Sequence, residues 1–200
     1  MRVRVFGAGL TTALAAVVVG CAGPPAYTPP PTTHSVDQSN LMTGTTPEFG
    51  QLVNSSSPAA QTFTASRSGQ LDQVSLLVQT SGPLGLDVSI ESVTGGHPSD
   101  VVLGSGSYAG PAGALSTTMI DIPLTVAVPV VAGTQYAIVV APAVPAGIWS
   151  FLGSGGTATD HYVGGEAFAG GTGWTAESGP AGPPFFGNGV VDFYFQTWVL

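Results

Sequence analysis

The sequence contains no lysine, three arginines and a single cysteine, Cys21. A chain with so few cations has almost nothing with which to neutralise phosphates, which excludes nucleic-acid binding and a basic contact with anionic lipid headgroups. A lone cysteine forms no intrachain disulfide, so the fold must depend on its apolar core. Only 7% of the residues are charged. Solubility must therefore come from serine, threonine, glutamine and the exposed backbone.

Cys21 follows a segment with the features of a bacterial export signal. Arg2 and Arg4 precede an uncharged run from Val5 to Val19. This run is shorter than the roughly 20 residues that span a bilayer, and its flanks are typical of a signal peptide. The sequence "VVGC" that ends the segment resembles a lipobox. The resemblance implies cleavage before Cys21 and lipid attachment at its sulfur, whereas a buried core thiol and a metal ligand are the alternatives.

Removal of residues 1–20 changes the charge balance further. Arg67 is then the single basic side chain against eleven acidic ones, so the net charge from side chains is −10. The lipid on Cys21 would hold this acidic chain on a membrane without a transmembrane helix.

Residues 21–57 are rich in proline, serine and threonine, as in "AGPPAYTPPPTT", and they show no sustained helical or strand period. This composition predicts an extended, disordered spacer. His34 lies inside it, where a solvated side chain is expected. The sequence thus divides into a signal peptide (1–20), a lipidated cysteine with its linker (21–57) and a folded domain (58–200).

The folded domain is predicted to be all-β. Apolar residues recur at every second position in "VSLLV", "LDVSIES", "IDIPL", "TVAVPV" and "VDFYFQTWV", and "YAIVVA" is continuously apolar. Alternation of this kind predicts half-buried antiparallel strands, and the continuous run predicts a central strand. In "TVAVPV" the inward positions are Val126, Val128 and Val130. Eight to ten such strands, separated by glycine- and proline-rich turns, predict a two-sheet, jelly-roll-like sandwich.

The order of these segments also resembles a known family. "QTFTASRSGQLDQVSLLV", "LDVSIESVTGGHPSDVVLGSGS", "VAGTQYAIVVAP", "DHYVGGEAFAGGTGWTA" and "DFYFQTWV" are together similar to the "choice-of-anchor" domains of secreted bacterial proteins. The likeness covers residues 59–200, although "GPAGPPFFGNG" departs from it. It implies a β-sandwich at the cell surface, and it brings no catalytic residues with it.

The sequence offers little that indicates catalysis or metal binding. His97 lies in a turn, and His161 is flanked by Asp160 and Tyr162 without a recognised ligand spacing. Four acidic residues could bind a calcium ion together if their loops met: Asp160, Glu166, Glu177 and Asp192. The alternative is that these carboxylates keep the surface hydrated. We therefore predict no enzyme activity, no cofactor and no metal site. A hydrolase built around His161 is the enzyme alternative.

Aromatic residues are the more promising candidates for ligand binding, since aromatic side chains with a polar group favour partly wet sites. Trp174 follows a glycine-rich turn, and Trp198 and Tyr194 share the polar face of the last strand. Trp149 and Phe151 share one strand face and can pack against the opposite sheet. Packing is the alternative role for each of these residues.

These patterns together predict a lipid-anchored protein on the extracytoplasmic side of the cell envelope. Its sandwich would serve for binding or adhesion, with envelope glycans or surface proteins as partners. A carbohydrate-binding module that uses Trp174, Trp198 and Tyr194 is the alternative within the same class.

Overall fold

The computed structural model describes residues 33–43, 49–157, 160–177 and 190–200. These residues form β-strands and no helix, and so none of them belongs to a helix able to span a membrane. Cys21 and residues 1–20 lie outside the described ranges. The strands are β1 (Ser35–Asn40), β2 (Phe49–Val53), β3 (Ala59–Thr64), β4 (Gly69–Thr80), β5 (Leu86–Thr94), β6 (His97–Tyr108), β7 (Leu115–Val130), β8 (Gln135–Pro142), β9 (Trp149–Thr157), β10 (Ala167–Ala169), β11 (Thr175–Ala176), β12 (Val190–Phe193) and β13 (Phe195–Val199).

All the strand pairings are antiparallel, which confirms the predicted all-β class. The hydrogen-bonded order is β1-β13-β4-β7-β6-β5-β8-β3-β10-β11, and β9 pairs with β2, β4 and β12. We call β1, β13, β4 and β7, together with β9, β2 and β12, sheet I. We call β6, β5, β8, β3, β10 and β11 sheet II. The long strand β7 joins them, because it pairs with β4 along most of its length and with β6 at Gly106 and Leu124.

The two sheets enclose one apolar core, as the alternation of the sequence predicts. Val74, Leu76 and Val78 of β4 are completely buried, and β8 lies centrally between β5 and β3. The last two strands also keep the predicted parity, since Phe193 and Phe195 both belong to this core. Strand alternation therefore suffices to place most of the core.

Val126 is a correction to the predicted inward face of β7, because it is 70% exposed. On β4, Gln73 pairs with Pro123 and Leu71 with Val128. Four residues of β7 thus lie opposite the single residue Asp72. This bulge turns Val126 out of the sandwich, while Val128 remains buried.

The spacer prediction is wrong for residues 35–40 and 49–53, which form β1 and β2. Strand β1 is attached to β13, and the buried Asp37 carboxylate accepts hydrogen bonds from Ser66 N (3.2 Å), Ser66 Oγ (2.6 Å) and Arg67 N (3.1 Å). The Arg67 guanidinium also donates to Ser35 Oγ and to the carbonyl of Val36. The polar composition conceals these strands, because hydrogen bonds rather than apolar periodicity hold β1.

Candidate ligand-binding face

A row of residues, most of them with small side chains, runs across the outer face of sheet II. Ser105 of β6 lies opposite Ser89 of β5, which lies opposite Val139 of β8, and this in turn lies opposite Ala60 of β3. Phe168 of β10 continues the row beyond Ala60. Because the neighbouring residues of β3, β5 and β8 point into the core, the row faces away from it.

One end of this face forms a groove of about 430 Å³, which we call the hydroxyl groove. Apolar atoms form more of its lining than polar atoms do, and serine and threonine hydroxyls with one carboxylate supply the polar part. The residues that line it are Asp87, Val88, Ser89, Val102, Ser105, Gly106, Ser107, Thr125, Val139 and Ala141. Serine and threonine hydroxyls both donate and accept hydrogen bonds, and none of the lining residues carries a positive charge. This lining suits a neutral ligand that is itself rich in hydroxyl groups.

The side chain of Glu91 is buried at the same face, and it fixes two neighbouring groups. Its Oε1 accepts a hydrogen bond from Ser89 Oγ (3.2 Å), and its Oε2 accepts one from the backbone N–H of Asp100 (3.1 Å). Burial raises the pKa of the Glu91 carboxyl, whereas these hydrogen bonds oppose the rise. Glu91 thus orients a serine of the groove and the backbone of β6.

Asp100 has a φ of 60°, the one non-glycine residue with a positive φ in the described part of the chain. Aspartate tolerates this left-handed region better than most residues, because its short polar side chain can form local hydrogen bonds. Here the bond from the Asp100 N–H to Glu91 supports the conformation.

The side chain of Trp174 lies over the other end of the outer face. Its indole N–H donates to Asp100 Oδ1 at 3.2 Å, and its ring packs against the cluster of Ala60, Ala137, Val139 and Phe168. A depression of about 240 Å³ adjoins it, lined by Pro58, Asp100, Gly170, Gly171, Thr172, Gly173 and Trp174. Trp174 is therefore half-buried, with a fixed orientation, rather than fully exposed.

The structure does not bring the three predicted aromatic residues together, because Trp198 and Tyr194 lie on sheet I. Tyr194 is only 5% exposed and packs with Leu77 and Leu152. Trp198 is half-buried, with its indole N–H donating to Ser75 Oγ (2.9 Å) and its ring 5.2 Å from that of His34. The polar face expected for the last strand is thus largely covered.

His34 is exposed, as expected for a solvated side chain, and it also contacts the domain. Besides its ring contact with Trp198, its Nδ1 lies 3.2 Å from the carboxylate of Asp72. Trp149 and Phe151 take the packing role, since both are buried and Phe151 stacks on Phe193 with the ring centroids 4.0 Å apart.

Two of the four acids considered as calcium ligands do meet. The backbone N–H of Tyr162 donates both to Asp160 Oδ1 (2.9 Å) and to Asp192 Oδ2 (3.1 Å). Gln61 Nε2 donates to Asp192 Oδ1 (3.3 Å). Burial raises the pKa of Asp192 to about 7, and the neighbouring Asp160 contributes to this rise. The fold thus holds Asp192 as the centre of a buried hydrogen-bond network.

The other two acids lie in different surroundings. Glu166 is half-buried, and its backbone N–H donates to Thr62 Oγ1 (2.9 Å). Glu177 is 2% exposed, neither of its carboxylate oxygens has a hydrogen-bond partner in the described structure, and burial raises its pKa to about 7. Within the described ranges, no three histidine, cysteine or acidic side chains gather as a metal site would require.

The histidines discussed for catalysis lie outside the groove. His97 is exposed at the β5–β6 turn, and its ring packs edge-on against Phe168 with the centroids 5.3 Å apart. The side chain of His161 is exposed, and it lines neither the hydroxyl groove nor the depression beside Trp174.

Sequence reasoning missed Ser89, Ser105, Ser107, Glu91 and Asp100 as components of the candidate face. The alternation in "LDVSIES" does mark Asp87, Ser89 and Glu91 as outward positions. Nothing in the sequence, however, indicates which outer face carries a groove.

A scan of the chain against models of protein families gives no match, and a search of curated proteins gives none either. The fold and the face therefore define an antiparallel β-sandwich with a hydroxyl-lined surface groove.

Proposed function

We propose that this chain is a cell-envelope lipoprotein of the "choice-of-anchor" kind, attached through Cys21, whose sandwich binds an envelope glycan without catalysing a reaction. The hydroxyl groove carries this proposal. Its hydroxyls and the Asp87 carboxylate match the donors and acceptors of a sugar, and its alanine and valine match the apolar faces of sugar rings.

The charge of the chain supports a neutral ligand. Arg67 is the one basic side chain after residue 20, and its guanidinium is hydrogen-bonded to Asp37 and to Val36 of β1. An anionic ligand would therefore find no positive charge in the groove. Attachment to the membrane is proposed from the sequence "VVGC" and the export signal before it.

Binding to a panel of purified bacterial envelope glycans tests the proposed function. We expect at least one neutral glycan to bind, and we expect Ser105→Phe to weaken binding at least about tenfold, because the added ring occupies the groove. Ser116→Phe, at an exposed position of β7 outside the groove, is the matched control and should bind normally.

Two results would contradict this assignment. If no glycan binds, the proposed ligand class is wrong. If Trp174→Ala abolishes binding while Ser105→Phe does not, the glycan binds in the depression beside Trp174. That result would favour the alternative carbohydrate-binding module, which uses exposed aromatic residues.

A further inference from the structure

Four loops meet at one end of the sandwich, and we call residues 54–58, 81–85, 109–114 and 143–148 the tip. Ser55 Oγ donates to the carbonyl of Pro145 (3.1 Å), and the N–H of Ala143 donates to the carbonyl of Gly85 (3.0 Å). The loop of residues 109–114 packs closely against the loop of residues 81–85, because a Cβ at Gly110 would lie only 2.3 Å from the carbonyl oxygen of Leu84. The loops therefore support one another as a single surface.

The tip contains no charged residue. Its four segments read "NSSSP", "SGPLG", "AGPAGA" and "AVPAGI". Val144 and Ile148 of the tip are 42% and 53% exposed, and Leu52 at the end of β2 is 59% exposed. Leu52 pairs with Ser150, two residues from Ile148, so these two side chains are diagonal neighbours on the same face. Exposed aliphatic side chains that lie close together mark interaction surfaces more often than isolated ones do.

The opposite end of the sandwich has a different character. Strand β4 begins beside the end of β13, which pairs on its other side with the start of β1, and β4 ends at Thr80, which pairs with Trp149 next to the tip. Its twelve residues separate the two ends by roughly 35–40 Å. The end at which β1 begins carries Asp37, Arg67 and Asp72, whereas the four segments of the tip carry no charged residue. The nearest acid along β5 is Asp87, directly after Leu86.

We infer that the tip is a docking surface for an electrically neutral lipid layer. Val144, Ile148 and Leu52 would enter the interfacial region, and the mutual hydrogen bonds of the loops satisfy part of the backbone that approaches the lipid. Because the chain after residue 20 has a net charge of −10, an anionic layer would repel it. The charge distribution thus selects neutral headgroups, and this inference rests neither on the groove nor on the lipid anchor.

Vesicle flotation tests the inference, with the chain from Ala22 onward, which retains every described residue and carries no lipid. We expect binding to vesicles of phosphatidylcholine, and weaker binding as phosphatidylglycerol is added at low salt. Val144→Asp combined with Ile148→Asp should reduce binding at least about tenfold, because a carboxylate resists entry into the interface. Val163→Asp is the matched control, since Val163 is 87% exposed beside Gly164, whose carbonyl bonds Thr64 near the opposite end.

The inference is overturned if the unmodified chain fails to float with phosphatidylcholine, or if the double variant floats as well as Val163→Asp. Sedimentation of the same proteins without vesicles measures their oligomeric state. A dimer that the double variant abolishes would show that the tip pairs with a second copy rather than with lipid. An unchanged thermal midpoint shows that each variant is folded.

Discussion

The indole N–H of Trp174 donates a hydrogen bond of 3.2 Å to Asp100 Oδ1. This bond joins the segment between β10 and β11 to β6, and so it crosses the outer face of sheet II. The acceptor belongs to a residue with a positive φ, whose own N–H is held by Glu91. Three residues distant in sequence thus determine the shape of this end of the candidate face.

Replacing Asp100 tests how far this arrangement contributes to stability. We expect Asp100→Ala to lower the free energy of unfolding by about 1–2 kcal/mol, because alanine loses the acceptor and tolerates a positive φ poorly. Asp100→Asn keeps an acceptor oxygen and tolerates the same φ, so it should remain within about 0.5 kcal/mol of the unmodified protein. Urea denaturation measures both, and equal losses would contradict the account.

The buried acids Asp192 and Glu177 predict the pH dependence of stability. Their ordinary pKa values of 3.8 and 4.5 rise to about 7 in the fold. The folded state therefore keeps protons that the unfolded chain has released. Stability should be greatest below about pH 4 and should fall as the pH rises to about 7.

Glu177→Gln tests this pH dependence, because glutamine keeps the shape and cannot ionise. We expect the variant to lose a large part of the decline between pH 4.5 and pH 7, and to be more stable than the unmodified protein above pH 7. Urea denaturation at a series of pH values measures this, with Glu166→Gln as the half-buried control. Identical slopes for Glu177→Gln and the unmodified chain would show that Glu177 does not carry the effect.

Asp37 should be essential for the attachment of β1. We expect Asp37→Ala to cost about 1–3 kcal/mol, since it leaves the N–H groups of Ser66 and Arg67 without their acceptor. Limited proteolysis should then cleave near residues 33–43. Asp72→Ala removes only the surface contact with His34 and should cost less than about 1 kcal/mol. Equal protease resistance of Asp37→Ala and Asp72→Ala would contradict this role of Asp37.

Lipid attachment at Cys21 predicts a simple change of location. In the producing cell, Cys21→Ala should move the protein out of the membrane fraction, because no acyl chain can be added to alanine. Metabolic labelling with a fatty acid should mark the unmodified chain alone. Fatty-acid label on the Cys21→Ala variant, or none on the unmodified chain, would defeat the lipoprotein proposal.

The sequence predicts the core of this protein well and its periphery less well. The inward positions of β4, β8 and the last two strands follow from alternation, because burial imposes a period of two. Strand β1 cannot be found in this way, since Asp37 and Arg67 attach it through polar contacts between residues distant in sequence. Alternation misplaces Val126 because a bulge depends on the partner strand, which a linear pattern does not contain.

The candidate site is harder to predict than the fold. The sequence predicts an exposed Trp174, whereas the side chain is half-buried. Its contact with Asp100 depends on a bulge in β6, where Glu91 pairs with Val102 but Val93 pairs with Pro98. Tyr194 follows the expected parity, yet on the outer side of sheet I it is buried in a cluster with Leu77 and Leu152 of the neighbouring strands and with partly buried methionines. Alternation tells which side chains leave the core, and it does not tell whether neighbouring side chains bury them.

The central claim is that the hydroxyl groove binds a neutral glycan. Amide chemical-shift mapping of the chain from Ala22 onward, titrated with the best-binding glycan of the panel, tests it most directly. The account predicts that the largest shifts fall on Ser89, Ser105, Ser107 and Thr125, with the tip and β1 unaffected. Shifts centred on Gly171, Thr172 and Trp174, or on no contiguous surface, would contradict it.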